Sequence, residues 1–313
     1  MSKQQPFLPV TVVNQTILEE PFSVSIQDIL LKLPRGVYSV ARSVTTNSIL
    51  LFESHIDRLR KSDKNIFKTL SELTQDRNNL KELVLKNLQI ALRKLIEINE
   101  EDQIQEKSVL IFISDRDTFS QQEKGTLNKT FLSKRLLILI HVYPIMKVPN
   151  SIKVQICGQA RKQPNTKDTK WVSERKKFIE KRSIGVGEIL LANKNKELTE
   201  GATSNFFIIM NSKIYTSPDN TVLCGITRKL TIKVCKKMGM KIIYKNPKID
   251  KIDQWEEAFI TSSSRLVLPI DSVLYEKEEG QLIEKTLDSP KITRNIRRNL
   301  IKQMEIESYV IDL

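Results

Sequence analysis

Two apolar runs of strand length limit what this chain can become. Residues 108–114 read SVLIFIS and residues 135–143 read RLLILIHVY. Runs this apolar leave no face for water, so they read as strands covered on both sides. Both are far shorter than a membrane span, and no continuous apolar run of that length occurs in the sequence. With 313 residues the chain is long enough for two domains and a core that needs no covalent staples. Helical patterns lie between the strands, so the class is α/β.

Residues 76–98 carry the clearest helical period, with Leu80, Leu83, Val84, Leu88, Leu92, Leu95 and Ile96 on one face. Ahead of it, residues 9–15, 36–44 and 47–53 read as strands, and the turn at 45–47 makes the last two a hairpin. Residues 54–66 (SHIDRLRKSDKNI) read as a helix with Ser54 as its N-cap. The polar stretch 115–130 is long for a plain connection, which makes it a functional loop or a segment without fixed structure. Pro144 and Pro149 place a boundary near 146, giving domains of residues 1–146 and 147–313. In the second half, residues 152–157, 187–193, 205–210, 213–217, 240–244 and 257–262 read as strands. Residues 169–182 read as a basic helix, and 226–238 as a helix with Gly239 at its C′ position. An amphipathic helix ends the sequence.

The formal net charge is +14. Basic residues are spread along the chain among acids, without an aromatic-plus-basic pattern, so no nucleic-acid partner is expected. Three Cys, with no CxxC among them, argue against a disulfide framework and for a reducing compartment. Two His and three Cys make a zinc site of ordinary ligand type improbable, and no metal is expected. The N-terminus lacks a signal-peptide layout. The expectation is a cytoplasmic protein without membrane attachment.

Four short pieces carry the candidate chemistry. Glu200-Gly201-Ala202-Thr203-Ser204-Asn205 is an acid and a tight turn before a strand. Cys224-Gly225-Ile226-Thr227-Arg228 opens a helix, where free N–H groups make an anion cradle. Thr261-Ser262-Ser263-Ser264 is a hydroxyl run at the end of a strand, a place where sheets bind phosphate. His55-Ile56-Asp57-Arg58-Leu59 places His55 and Arg58 on one helix face. Each piece alone is an ordinary turn, helix start or salt-bridge helix.

In this order the pieces resemble class IV aminotransferases: the branched-chain and D-amino-acid aminotransferases and aminodeoxychorismate lyase. The likeness runs over about residues 36–270, and WEEAFITSS (255–263) is most similar to a eukaryotic branch of the family. It implies a pyridoxal-phosphate (PLP) protein of fold type IV, D-amino-acid aminotransferase-like. A smaller α+β N-terminal domain would precede a larger domain built on a β-barrel-like sheet. The family's Schiff-base lysine lies some twenty residues before the acid that opens the next strand. Counting back from Glu188 in GEILL gives Lys167, with Lys170 as the rival. Nine of the 22 residues from Arg161 to Arg182 are basic, so solvation is the ordinary role of any one of them.

The resemblance further implies that Glu200 keeps the cofactor's ring nitrogen protonated by charge pairing. Arg58, Ile226, Thr227, Ser262 and Ser263 would hold its phosphate. Tyr38 would face the substrate. A lysine near cofactor and cations is expected to have a lowered pKa. Arg116, flanked by Asp115 and Asp117, and Arg265, where the family has a small residue, are candidate ligands for a substrate carboxylate. Asp168 stands where the family often has a small hydroxyl residue. The implied activity is transfer of an amino group from an amino acid to a 2-oxo acid, with a lyase reaction or a non-catalytic relative as alternatives. The family forms homodimers, so a homodimer is expected.

Overall fold

The computed structural model describes residues 7–22, 25–66, 76–99, 106–120, 131, 134–277 and 280–313. The chain divides into two compact units. The first comprises residues 1–146, 166–173 and 307–313, and the second 147–165 and 174–306. Two short segments from the second half of the sequence therefore belong to the first unit.

The first unit contains β1 (Val10–Val13), β2 (Thr16–Ile17), α1 (Ile26–Lys32), β3 (Val37–Thr45), β4 (Ser48–Leu50), α2 (Phe52–Ile66), α3 (Arg77–Ile98), β5 (Lys107–Asp115) and β6 (Leu136–Pro144). With the C-terminal strand Ser308–Val310 they form a 7-stranded sheet, ordered C-terminal strand-β4-β3-β5-β6-β1-β2. Every pairing in it is antiparallel. Alternate residues of β5 show why its sequence is apolar throughout. Val109, Ile111 and Ile113 pack with Ile56, Leu59, Val84 and Leu88 of α2 and α3. Leu110 and Phe112 enter a separate cluster with Ile29 and Leu30 of α1.

Asp76 caps α3, its side chain accepting from Asn78 N at 2.8 Å. The expected cap at Ser54 is not found, because α2 begins at Phe52. Leu51 adopts the left-handed conformation, φ 51°, and turns the chain straight from β4 into the helix. The backbone N–H groups of Ser54 and His55 both donate to Leu51 O, so Ser54 lies inside the first turn.

The second unit contains β7 (Ile152–Gln159), β8 (Val186–Ala192), β9 (Leu198–Gly201), β10 (Asn205–Met210), β11 (Lys213–Thr216), α5 (Ile226–Lys237), β12 (Ile242–Tyr244), β13 (Glu257–Ser262), β14 (Leu266–Glu276), β15 (Leu282–Thr286) and α6 (Lys291–Ile306), with the helix α4 (Lys170–Glu180) running into it from the first. The strands make one sheet, and six of them close into a ring in the order β10-β13-β14-β7-β8-β9. The seam is the pairing of Asn205 with Glu200. Ring closure removes edges that would otherwise need cover. Val154, Leu190, Phe206, Ile208, Ile260 and Leu268 form part of its core. Ile226, Leu230 and Val234 of α5 are buried. Gly239, at φ 72°, ends that helix: its N–H donates to Lys236 O, and Met240 N donates to Cys235 O.

Candidate functional site

In the first unit, residues 167–169 are fastened to the start of β3. Tyr38 N donates to Lys167 O at 3.0 Å, and Thr169 N donates to Gly36 O at 3.0 Å. Gly36 N donates to the Thr169 hydroxyl at 3.0 Å, and Lys167 N donates to the Ser62 hydroxyl of α2, also at 3.0 Å. Asp168, the departure noted in the sequence, is buried; it holds Arg35 at 2.8 Å and accepts from Lys170 N at 2.9 Å. Lys167 is half-buried, with Nζ 5.0 Å from the centre of the buried Tyr38 ring. Lys170 is exposed at the first position of α4.

Arg58 is half-buried in the same unit and donates to the Ser39 hydroxyl. Ser39 Oγ lies 2.6 Å from His55 Nδ1. Burial, and then the Arg58 charge, push the His55 pKa well below its usual value, so this imidazole stays neutral. A neutral Nδ1 that accepts from Ser39 leaves Ser39 free to accept from Arg58. Burial also pulls Arg58 down to about 10, against the opposing Tyr38 phenol. Among the described residues no carboxylate pairs with Arg58, and its buried Nε has no hydrogen-bond partner.

In the second unit, Glu200 is buried at the seam of the ring. Its Oε2 accepts from Leu223 N at 3.1 Å, and its Oε1 lies 3.9 Å from the guanidinium of Arg161. Asn205 donates to Leu223 O at 2.7 Å, so the same loop is held from both sides of the seam. Gly225 caps α5, and a Cβ there would lie 2.1 Å from Asn205 Oδ1. Only glycine allows that approach. Ile226 and Thr227 follow as the first two helical residues, where backbone N–H groups have no partner within the helix.

Ser262 ends β13, and Ser263 begins the turn into β14. The neighbouring Thr261 hydroxyl is buried without a hydrogen-bond partner among the described residues. Arg265 pairs with the buried Glu188 at 2.6 Å, which commits its charge to an acid of its own unit. Arg116 lies 3.5 Å from Asp117, while Asp115 holds Arg135 at 3.3 Å. Most of the expected carboxylate-binding loop, residues 121–130, lies outside the described residues. Sequence reasoning missed Ser39, Arg161 and Leu223 as neighbours of the candidate residues, and used Glu188 only as a marker for counting.

A family model for class IV aminotransferases matches residues 36–273. The chain belongs to this family. D-alanine aminotransferase of Bacillus licheniformis is 33% identical to it over 104 residues, 33% of this chain and 35% of that protein. A chloroplastic branched-chain-amino-acid aminotransferase of Arabidopsis thaliana is 28% identical over 100 residues, 31% of this chain and 26% of that protein. The aligned stretches thus span about a third or less of these curated relatives.

Among solved structures, a branched-chain aminotransferase from Thermoproteus uzoniensis with norvaline superposes with a TM-score of 0.71 at 17% identity, covering 97% of this chain and 99% of that one. The T.th. branched-chain amino acid aminotransferase complexed with N-(5'-phosphopyridoxyl)-L-glutamate gives 0.69 at 15%, covering 97% and 98%. This class IV chain therefore has the fold of those enzymes, as the resemblance implied. The aminotransferase names of these relatives do not favour the lyase or the non-catalytic alternative. No helix among the described residues is long and apolar enough to cross a membrane.

Proposed function

We propose that the chain is a pyridoxal-phosphate-dependent aminotransferase that moves an amino group from an amino acid to a 2-oxo acid. The observation that carries this reading is Lys167. Its backbone is tied to β3 and α2, and its half-buried amine stands over Tyr38, while the rival Lys170 is exposed.

The residues present fit the cofactor. Arg58 is a partly desolvated cation with no carboxylate among the described residues, so an anion is the partner it lacks. The start of α5 and the hydroxyls of Thr227, Ser262 and Ser263 are donors suited to phosphate oxygens. Bound pyridoxal phosphate supplies an aldehyde that takes up amines and a ring that accepts electron density from the α-carbon. With the cofactor bound, Lys167 Nζ would be the amine that holds it and the base that moves the proton at the substrate α-carbon. Glu200, whose Oε1 lies 3.9 Å from the Arg161 guanidinium, would hold a proton on the ring nitrogen. Tyr38 shields one side of the Lys167 amine from water.

Arg116 remains a candidate for the substrate carboxylate. Arg265 is better placed as the counter-ion of Glu188. A homodimer in the cytoplasm completes the proposal, on the strength of the family pattern and the sequence features above.

The test is borohydride reduction of the protein after incubation with pyridoxal phosphate, followed by peptide mapping. Modification at Lys167, lost in Lys167→Ala, supports the proposal. Modification elsewhere, or none, removes it. Incubation with an amino acid and 2-oxoglutarate then separates transfer from binding alone.

A further inference from the structure

We propose that Arg265 is a positioning residue that turns the Ser262 hydroxyl into a dedicated donor for an anion and ties its turn to the turn that follows Glu200. The inference rests on the functional reading above and extends it to a residue assigned no part there beyond an ion pair.

A hydroxyl has two lone pairs and one proton. Ser262 Oγ accepts from Arg265 N at 3.2 Å and from Arg265 Nε at 3.3 Å. Both lone pairs are therefore used by one residue. The remaining group is an O–H that can only donate, and no acceptor for it is found among the described residues. A donor-only hydroxyl beside a guanidinium suits a phosphate oxygen. It does not suit a metal cation or a ligand N–H.

The far end of Arg265 reaches the other turn. Nη2 donates to Glu188 Oε2 at 2.6 Å and to the Thr203 hydroxyl at 2.6 Å. Glu188 is saturated in turn: Oε2 also accepts from the hydroxyls of Thr203 and Ser204 (2.9 Å for Ser204), and Oε1 accepts from Ile189 N at 3.0 Å. Thr203 and Ser204 lie between Glu200 and Asn205, the pair that closes the ring. One side chain thus spans the segment after the acid and the hydroxyl turn.

The strand beyond is fixed from α6. Arg297 Nη1 donates to Arg265 O at 2.8 Å and Val267 O at 2.5 Å, bracketing Leu266, which holds φ 56°. That conformation is uncommon for a residue with a branched side chain and persists when its surroundings fix it.

The experiment compares dissociation constants for pyridoxal phosphate and for pyridoxal, which lacks the phosphate. Arg265→Lys keeps a cation for Glu188 and so keeps the fold, but it loses the Nε bond to Ser262. Its preference for the phosphorylated ligand should fall about three- to tenfold, with pyridoxal affinity little changed, since a charge-assisted hydrogen bond is at stake. Ser262→Ala should show the same selective loss, and the double variant should lose no more than either alone. Equal losses for both ligands, or additive losses in the double variant, overturn the inference. Should the wild type bind no pyridoxal phosphate, the functional reading fails. Protection from thermal unfolding by inorganic phosphate then decides for Arg265: selective loss in Arg265→Lys sustains its role, and unchanged protection overturns it.

Discussion

Replacing Arg58 with Met should stabilise the empty protein while weakening its anion affinity. Arg58 stays charged at neutral pH, so the free energy of its partial dehydration is carried by the folded state. The drop of its pKa to about 10 corresponds to about 3 kcal/mol, at about 1.4 kcal/mol per tenfold. Half-burial leaves part of the guanidinium in water, so roughly half of that, about 1.5 kcal/mol, is the better figure. Met keeps the length and apolar bulk of the side chain. The hydrogen bond to Ser39 is lost, which costs about 0.5–1 kcal/mol, though Ser39 still donates to His55. The net gain is then about 0.5–1 kcal/mol, or about 1–4 °C in Tm for a domain of this size. Adding inorganic phosphate at 100 times its wild-type Kd should stabilise the wild type by about 2.7 kcal/mol and the variant by about 1 kcal/mol or less, one charge-assisted contact being lost. Thermal unfolding of the empty protein, with and without phosphate, measures both effects. A variant that melts earlier than the wild type without ligand, or that keeps the ligand-induced rise undiminished, would refute the view of Arg58 as a desolvated cation awaiting an anion.

Gly225→Ala should lower stability by about 1–3 kcal/mol in chemical denaturation, because its Cβ would push into Asn205, which is held by Leu223. It should also weaken pyridoxal-phosphate binding, and an unchanged denaturation midpoint would count against the tight approach at this helix start. His55 and His141, the only two His of the chain, are both pushed down by burial, His141 to about 4. Their folded pKa values lie below the unfolded value of 6.5, so the unfolded chain takes up protons first and stability falls as pH drops below 6.5. Between pH 6.5 and 5 the slope should approach about 1.4 kcal/mol per pH unit for each His. His141→Asn should remove one share of that slope, and an identical slope in the variant would contradict a neutral buried imidazole.

Strands and helices were legible wherever one period dominated. Residues 205–210 are apolar and pair on both sides with β11 and β13, so their boundaries are sharp in the sequence. β14 spans 11 residues but carries no clear strand signal in the sequence, because Pro269 and Asp271 interrupt its apolar run. Pro269 is nonetheless paired opposite Phe259, in register with β13. β9 is four residues long and includes Glu200, too short and too polar to signal itself. The turn motifs were legible because their residue types are dictated by local backbone needs. The membership of residues 166–173 in the first unit depends on the bridge of Asp168 to Val37, a pairing no local pattern announces. The link of Arg265 to Glu188 joins positions 77 apart, so sequence could flag Arg265 as odd without saying what it holds.

The same limit explains why net charge was a poor guide to function and the distribution of acids a better one. Many of the basic groups have an acid of their own: Arg35 has Asp168, Arg135 has Asp115, Arg228 has Asp219, and Arg265 has Glu188. A guanidinium held by a carboxylate is electrically satisfied and orders the scaffold, while its attraction for a further anion is reduced. Arg58 is not held in that way. Its contacts are a hydroxyl and a neutral imidazole, groups that orient a guanidinium without cancelling its charge. Placing a carboxylate beside it would have stabilised the empty fold and consumed the charge that a phosphate would use. Arg58 is therefore proposed as an anion ligand on the strength of its surroundings, which composition does not express.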